Sequence, residues 1–161
     1  MPPTFVLDQN FPQNIISALG HIPEANLTPL IQVDPALTMG HEDWEILRDL
    51  HNKGYDGFIT ADSSMLQLPK ELTVLIQTGL TLVVTAGVGH DSIQATGLLL
   101  MHLPHIAHQI RTATPQLWRL NPPPRKNHMD PWDRLREVAE GMGESARSVF
   151  RREQLPDRDL H

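Results

Sequence analysis

The stretch Thr4–Pro12, which reads T-F-V-L-D-Q-N-F-P, decides how the rest of the chain is arranged. Its apolar run Phe5–Leu7 stops at Asp8, and Asn10 and Pro12 then supply a helix cap and a first helical turn. This pattern predicts a buried strand with a carboxylate at its C-terminal end. Ligands bind beyond such strand ends in open α/β sheets, so Asp8 is a candidate site residue. The alternative is that Asp8 only caps the helix that follows.

The composition narrows the class of protein before any motif is considered. The chain has 161 residues and no cysteine, which excludes disulfides, thiolate metal sites and cysteine nucleophiles. The N-terminus lacks a basic region followed by an apolar run, and no apolar run is long enough to cross a bilayer. We therefore expect a cytoplasmic protein without a membrane partner. The net charge is -6, with acids in excess in residues 1–110 and a small basic excess in residues 111–161.

The apolar pattern alternates between strand and helix along the first 120 residues. Strands are predicted at 5–7, 30–33, 57–60 and 80–85, with a short last strand at 117–120. Helices are predicted at 12–19, 43–53 and 69–77, and from about Asp91, where Pro104 should end or kink the helix. This order predicts an α/β domain in residues 1–121 with a mainly parallel sheet of four to five strands.

The prolines at 122–124 mark a boundary, because consecutive prolines favour an extended chain and exclude helix. Residues 122–161 are predicted to form a Pro-rich linker and a short helical, Arg-rich tail, with helices at about 131–140 and 144–152. Arginines interleaved with Trp118 and Trp132 could bind phosphates and stack on bases. Alternatively, Trp132 and its apolar neighbours dock the tail on the body or on a second subunit.

Two more acids are predicted to reach the strand end at which Asp8 lies. The strand Gly57–Thr60 runs into Asp62, and Asp43 opens a helix that starts where the chain returns to the same edge. Converging carboxylates repel one another and are tolerated chiefly around a divalent cation, and oxygen ligands favour Mg²⁺ or Mn²⁺. Such an ion could activate water for the cleavage of a phosphodiester. Asp43 is also favourable at a helix start for dipole reasons alone.

These motifs resemble the PIN-domain superfamily, and most closely its small bacterial ribonuclease and toxin group. They are V-L-D-x-N-x-P at 6–12, D-W-E-I-L-R-D-L at 43–50 and G-F-I-T-A-D at 57–62, and the resemblance covers roughly residues 4–112. It implies a three-layer PIN-like sandwich that cleaves RNA with water activated by Mg²⁺ or Mn²⁺. Carried onto this chain, Asp8, Asp43 and Asp62 are the catalytic residues and metal ligands, and RNA and an antitoxin protein are the partners, with a homodimer as a further expectation.

Weaker candidates surround these three acids. Asn10 matches the polar residue after the first acid, and Glu42 lies beside Asp43. Ser63 and Ser64 could contact a phosphate or could simply cap a helix. His90 follows the turn at 87–89 and could help a helix start to hold an RNA phosphate. Ser92 stands where a dinucleotide fingerprint needs its third glycine, so that reading is disfavoured.

Two other functions stay open at this point. Many members of the PIN-domain superfamily carry a further acid on an intervening helix, and this acid has no clear counterpart here. The chain could therefore be a PIN-like module that binds RNA or a protein without cutting. A phospho-acceptor or phosphatase-like domain that uses Asp8 is weaker, because no lysine follows the strand 80–85 before Lys126. His102, His105 and His108 recur every three residues, and a solvated helix face explains them better than zinc does.

Overall fold

The computed structural model describes residues 1–9, 11, 19–20, 22–88, 91–110, 114–124 and 130–156. It separates into two compact units, Met1–Pro123 and Pro124–His161. The first unit is an α/β unit, and the second is helical. The helix predicted at 12–19 lies outside the described residues, except for Leu19, which is helical and buried.

The α/β unit is built on a five-stranded, all-parallel sheet in the order β2-β1-β3-β4-β5. Its strands are β1 (Thr4–Leu7), β2 (Asn26–Pro29), β3 (Gly57–Thr60), β4 (Thr81–Thr85) and β5 (Gln116–Leu120). The helices are α1 (Leu30–Val33), α2 (Asp43–Asn52), α3 (Pro69–Thr78) and α4 (Ser92–Gln109), with 3-10 turns at Pro35–Thr38 and Ser63–Leu66. The predicted α/β class and parallel sheet are thus confirmed.

Two cores lie on opposite faces of the sheet, because neighbouring side chains along a strand point to opposite sides. One core joins Leu7, Ile59 and Val83 to the buried face of α4. The other joins Val6, Phe58, Leu82 and Val84 to α1, α2 and α3. Strands β1, β3 and β4 are therefore buried on both sides, which explains their nearly continuous apolar sequences. The arrangement is consistent with a three-layer sandwich.

The second strand lies four residues earlier than predicted. Asn26–Pro29 pairs with β1, whereas the apolar run Leu30–Val33 forms the short helix α1. Because β2 is an edge strand, it needs backbone bonds on one side only and tolerates Pro29. Within the run that was predicted as a strand, Leu30 is buried and Ile31 is 55% exposed, so the run packs against the core through one face only.

Pro104 does not end the helix in which it lies and does not divide it into two helices. The helix α4 continues through it to Gln109 and buries Leu103 and Ile106 on either side. The residue four positions earlier, Leu100, is exposed, so its freed carbonyl can bond to water. Burial of the apolar face of α4 outweighs the lost helical bond. Within the residues that the structure describes, no helix combines the length and the apolar content of a membrane span.

The helical unit contains α5 (Pro131–Gly141) and α6 (Ala146–Glu153). Asp130 caps α5 by accepting a hydrogen bond from the Trp132 N–H, and Ser145 caps α6 through the Ser148 N–H. The rings of Trp132 and Phe150 lie 4.9 Å apart and join the two helices.

Candidate functional site

Asp8 lies at the C-terminal end of β1, where the register of the sheet sets it beside Thr60 of β3. Leu7 pairs with Ile59, and the Asp8 N–H continues the ladder by donating to the Ile59 carbonyl at 2.9 Å. The Thr60 Oγ1 donates to the Asp8 Oδ2 at 2.7 Å. Asp8 is only 8% exposed. A buried carboxylate is costly unless it is hydrogen-bonded, and the Thr60 hydroxyl supplies one such bond.

Thr60 also links Asp8 to Asp62. Its Oγ1 accepts a hydrogen bond from the Asp62 N–H at 3.0 Å while donating to Asp8. Asp62 itself is exposed, and its Oδ1 accepts from the Ser64 N–H at 2.8 Å, which caps the 3-10 turn Ser63–Leu66. Ser63 and Ser64 therefore lie exposed in that turn, and the capping role belongs to Asp62.

Asp43 and Glu45 share the first turn of α2 but have different surroundings. The Glu45 Oε2 accepts from the Glu42 N–H at 3.0 Å and pairs with the His41 Nδ1 at 3.3 Å. The hydrogen bond to the Glu42 backbone, helped by His41, lowers the pKa of Glu45. Asp43 is instead partly buried beside the other acids. Asp43 is thus the acid of this turn that belongs with Asp8 and Asp62.

The electrostatics of Asp43 show that several carboxylates lie near it. The pKa of Asp43 is raised from 3.8 to about 6, chiefly by burial and then by the charges of Asp62, Asp8, Glu71 and Glu42, in that order of effect. Charges must be close to act on one another in this way, because separated surface charges are screened by water and salt. Asp8, Asp43, Asp62 and Glu71 are called the acidic cluster below.

Glu71 is the member of the acidic cluster that the sequence reasoning missed. It lies in the first turn of α3 and is 5% exposed. Its carboxylate has no hydrogen-bond or ion-pair partner among the residues that the structure describes. Glu71 lies at this edge for the same reason as Asp43: α3 starts after β3, so its first turn returns to the edge where β1 and β3 end.

The fold explains why these four acids meet. Along β1, Val6 faces the α2–α3 side and Leu7 the α4 side, so Asp8 faces α2 and α3 again. Thr60 follows Ile59 in the same way. The helices α2 and α3 run back against the parallel strands, so their N-termini lie at the strand ends. The partial positive charge of those N-termini stabilises nearby carboxylates.

The donor chemistry of the acidic cluster fits a hard divalent cation, since every side chain in it is a carboxylate. Among the described residues, however, no three His, Asp or Glu side chains are placed to hold a metal ion as they stand. The acids are therefore near enough to repel but not arranged as a finished coordination shell. Asp8, Asp43, Asp62 and Glu71 would be the side chains that hold Mg²⁺ or Mn²⁺.

Other residues that the sequence singles out lie outside the described residues or have other partners. Asn10 and His90 lie outside the described residues, as does Gly89. At the start of α4, the Asp91 Oδ1 already accepts from the Ile93 and Gln94 N–H groups, both at 3.0 Å. Those two amides are thus occupied, which weakens the phosphate role predicted for this helix start. His105 packs edge-on against Trp118 with ring centroids 5.8 Å apart.

No family model, curated protein or solved structure matches this chain.

Proposed function

We propose that this protein is a metal-dependent ribonuclease of the PIN-like kind that its motifs resemble. The observation that carries the proposal is the buried pair of strand ends: Asp8 is hydrogen-bonded through Thr60 to the start of the loop that bears Asp62. Asp43 and Glu71 complete a four-carboxylate cluster at the same edge. Glu71 occupies the role of the additional acid that the sequence had not revealed.

The side chains at the site have two kinds of task in this proposal, metal binding and the positioning of Asp8. Asp8, Asp43, Asp62 and Glu71 would hold Mg²⁺ or Mn²⁺, and such an ion supplies a Lewis acid that lowers the pKa of water and offsets phosphate charge. Thr60 fixes the orientation of Asp8 by donating to one of its oxygens, so it is a positioning residue. Asp43 must lose its proton to serve as a ligand, and because its pKa is raised to about 6, it is mostly ionised only above pH 6.

The test compares RNA cleavage with metal binding in the same variants. We expect single-stranded RNA to be cut with Mn²⁺ or Mg²⁺ and not with EDTA, and Asp8→Asn, Asp62→Asn and Glu71→Gln to remove the activity. Glu137→Gln is the matched control, because Glu137 is an exposed acid on α5 that pairs with Arg134 at 2.9 Å. A metal-loaded wild type that cuts nothing, or acid variants that cut equally well, would refute the nuclease.

Metal binding has its own readout, which does not depend on activity. At matched ionic strength, Mn²⁺ should raise the thermal midpoint of the wild type more than Na⁺ does, since a ligand that binds only the folded state stabilises it. Asp8→Asn and Glu71→Gln should lose this difference, and Glu137→Gln should keep it. Equal midpoints in the two salts would contradict the metal site.

A second candidate is a PIN-like module that binds RNA or a protein without cutting. The specific observation in its favour is that the described carboxylates do not form a finished coordination shell. It predicts RNA binding in EDTA without cleavage in Mn²⁺.

If the ribonuclease is the toxin of a toxin–antitoxin pair, it also has an antitoxin protein as partner. Co-purification with a small neighbouring-gene product would support that role.

A further inference from the structure

Two cations converge on the ring of Trp44 beside the acidic cluster. The Lys70 Nζ lies 4.8 Å from the ring centroid, and the Arg48 Cζ lies 5.4 Å from it. Trp44 and Arg48 belong to α2, one turn apart, while Lys70 belongs to α3. Trp44, Arg48 and Lys70 are called the cationic patch below.

The cationic patch adjoins the acidic cluster on both helices. Trp44 follows Asp43 in the first turn of α2, and Lys70 precedes Glu71 in the first turn of α3. Successive residues on a helix point about 100° apart, so the patch lies beside the carboxylates and not among them. An RNA strand that approaches the acidic cluster from the side of Trp44 therefore meets the cationic patch first.

Basic side chains are scarce in this part of the protein. Residues 1–123 hold eleven acids, and their basic residues are Arg48, Lys53, Lys70, Arg111 and Arg119. Two of those five meet at Trp44. An acidic surface repels a polyanion, so an RNA that is to approach the carboxylates needs local positive charge.

Neither cation is neutralised by the acidic cluster. Arg48 pairs with Asp49 at 2.8 Å and is 48% exposed. Lys70 is exposed and has no carboxylate partner among the described residues. The ring of Trp44 holds both charged groups without cancelling their charge, so both can still contact a phosphate.

We infer that the cationic patch binds the phosphate backbone of single-stranded RNA and leads it to the acidic cluster. This inference rests on the proposed function, because it names how the RNA of that same site is held. Phosphate contacts fix the register and orientation of a bound strand without reading its sequence. Lys70 and Arg48 are thus binding residues, and Trp44 is a positioning residue that orients both.

The experiment measures binding of a short fluorescein-labelled oligouridylate by anisotropy in EDTA, where metal-dependent cleavage is absent. Lys70→Gln and Arg48→Gln should each weaken binding about threefold to tenfold and lower the slope of log affinity against log salt by about 0.7 for each lost phosphate contact. Trp44→Leu should weaken binding without changing the net charge. Lys53→Gln is the matched control, since Lys53 is the C-cap residue of α2 and its Nζ lies 3.8 Å from the Asp34 Oδ2.

The outcomes separate this inference from the ribonuclease proposal. If Lys70→Gln and Arg48→Gln bind like the wild type, or Lys53→Gln loses as much affinity, the cationic patch is not the RNA site. A wild type that does not bind the oligonucleotide overturns it as well. If the patch variants lose binding but the wild type cuts nothing in Mn²⁺, the inference stands and the nuclease fails. If cleavage depends on Asp8 but binding ignores the patch, only the inference fails.

Discussion

The hydroxyl of Thr60 links the two strand-end aspartates. It donates to the Asp8 Oδ2 and accepts from the Asp62 N–H, so both of its hydrogen-bonding functions are used inside the protein. Thr60 is fully buried, and Asp8 nearly so. Removing the hydroxyl would leave a buried carboxylate oxygen and a backbone amide each short of one partner.

We therefore expect Thr60→Val to lower the free energy of unfolding by about 2 kcal/mol, the cost of leaving buried polar groups without their partners. Thr60→Ser keeps the hydroxyl and should lose less than Thr60→Val does. Urea denaturation of the three proteins at neutral pH measures the difference. Equal stability of Thr60→Val and the wild type would show that water replaces the hydroxyl.

Asp43 makes the stability of the protein depend on pH. Its folded pKa of about 6 lies above its ordinary value of 3.8, so between these pH values the folded protein holds a proton that the unfolded chain has lost. The free energy of unfolding consequently falls as pH rises through this window, and it levels off above it. The stability that is lost is the part gained while Asp43 is protonated and so does not repel its acidic neighbours.

Asp43→Asn should remove this dependence and raise the free energy of unfolding at pH 7.5 by about 1 kcal/mol, less than full conversion of the shift because solvent screens a partly exposed carboxylate. At pH 4 the variant and the wild type should differ much less. Asp49→Asn on the same helix is the control. A gain that is equal at both pH values would contradict the assignment to Asp43.

Glu71 shows what limits the recognition of a site from sequence. Asp8 and Asp62 follow apolar runs that end abruptly, so their places at the strand ends could be predicted from the pattern alone. Asp43 and Glu71 each lie in the first turn of a helix, where an acid is favourable for ordinary reasons. Only the neighbours across the sheet distinguish a site acid from a capping acid there, and those neighbours are set by the tertiary fold.

Among the strands, β3 depends on a close approach at Gly57. A Cβ placed on Gly57 would lie 2.6 Å from the Phe5 ring and 2.6 Å from the Thr81 carbonyl oxygen. The carbonyl belongs to the backbone of β4 and cannot turn aside. The absence of a side chain at Gly57 thus lets β1, β3 and β4 lie side by side, and it is these strands that bring Asp8 and Asp62 together.

Gly57→Ala should accordingly destabilise the protein by about 3 kcal/mol, at the upper end of the usual cost of overpacking. Gly97→Ala is the matched control: Gly97 lies exposed in α4 with nothing within 4 Å of an added Cβ, and alanine should stabilise that helix by about 0.5–1 kcal/mol. Chemical denaturation distinguishes the two directions. Opposite signs are expected, and a neutral Gly57→Ala would refute the close packing.

The elements that were predicted well share one property, which is burial on a regular face. The strands β3 and β4 and the helices α2 and α3 lie within a residue or two of their predicted bounds. The strand β2 was placed wrongly because the apolar run Leu30–Val33 resembles a strand, while the true strand contains asparagine and proline. Edge strands bury less and follow the apolar pattern less closely.

For the protein as a whole, negative charge is the dominant electrostatic feature. The net charge is -6, and the acidic cluster concentrates repulsion at one edge of the sheet. The Debye length falls from about 30 Å at 0.01 M salt to about 8 Å at 0.15 M, so added salt should relieve this repulsion. The layered α/β fold and the convergence of Asp8, Asp43 and Asp62 at this edge were predicted from the sequence, whereas Glu71 was missed.

Raising NaCl from about 0.01 M to about 0.15 M at pH 7.5 should increase the free energy of unfolding by on the order of 1 kcal/mol. The increase should be smaller in Asp43→Asn, which removes one charge from the acidic cluster. Urea denaturation at the two salt concentrations is the measurement. Stability that falls or does not change with salt would mean that attractive surface pairs outweigh the repulsion.

Because of the position of the Thr60 hydroxyl, the amide resonance of Asp62 should report on the state of Asp8. The Asp62 amide proton bonds to the same oxygen whose hydrogen points at Asp8, so any change in the charge on Asp8 alters the polarisation of that oxygen. In a nitrogen–proton correlation spectrum, the Asp62 cross-peak should therefore shift when a ligand or a proton reaches Asp8. A backbone resonance would then read occupancy at a buried carboxylate without a label at the site.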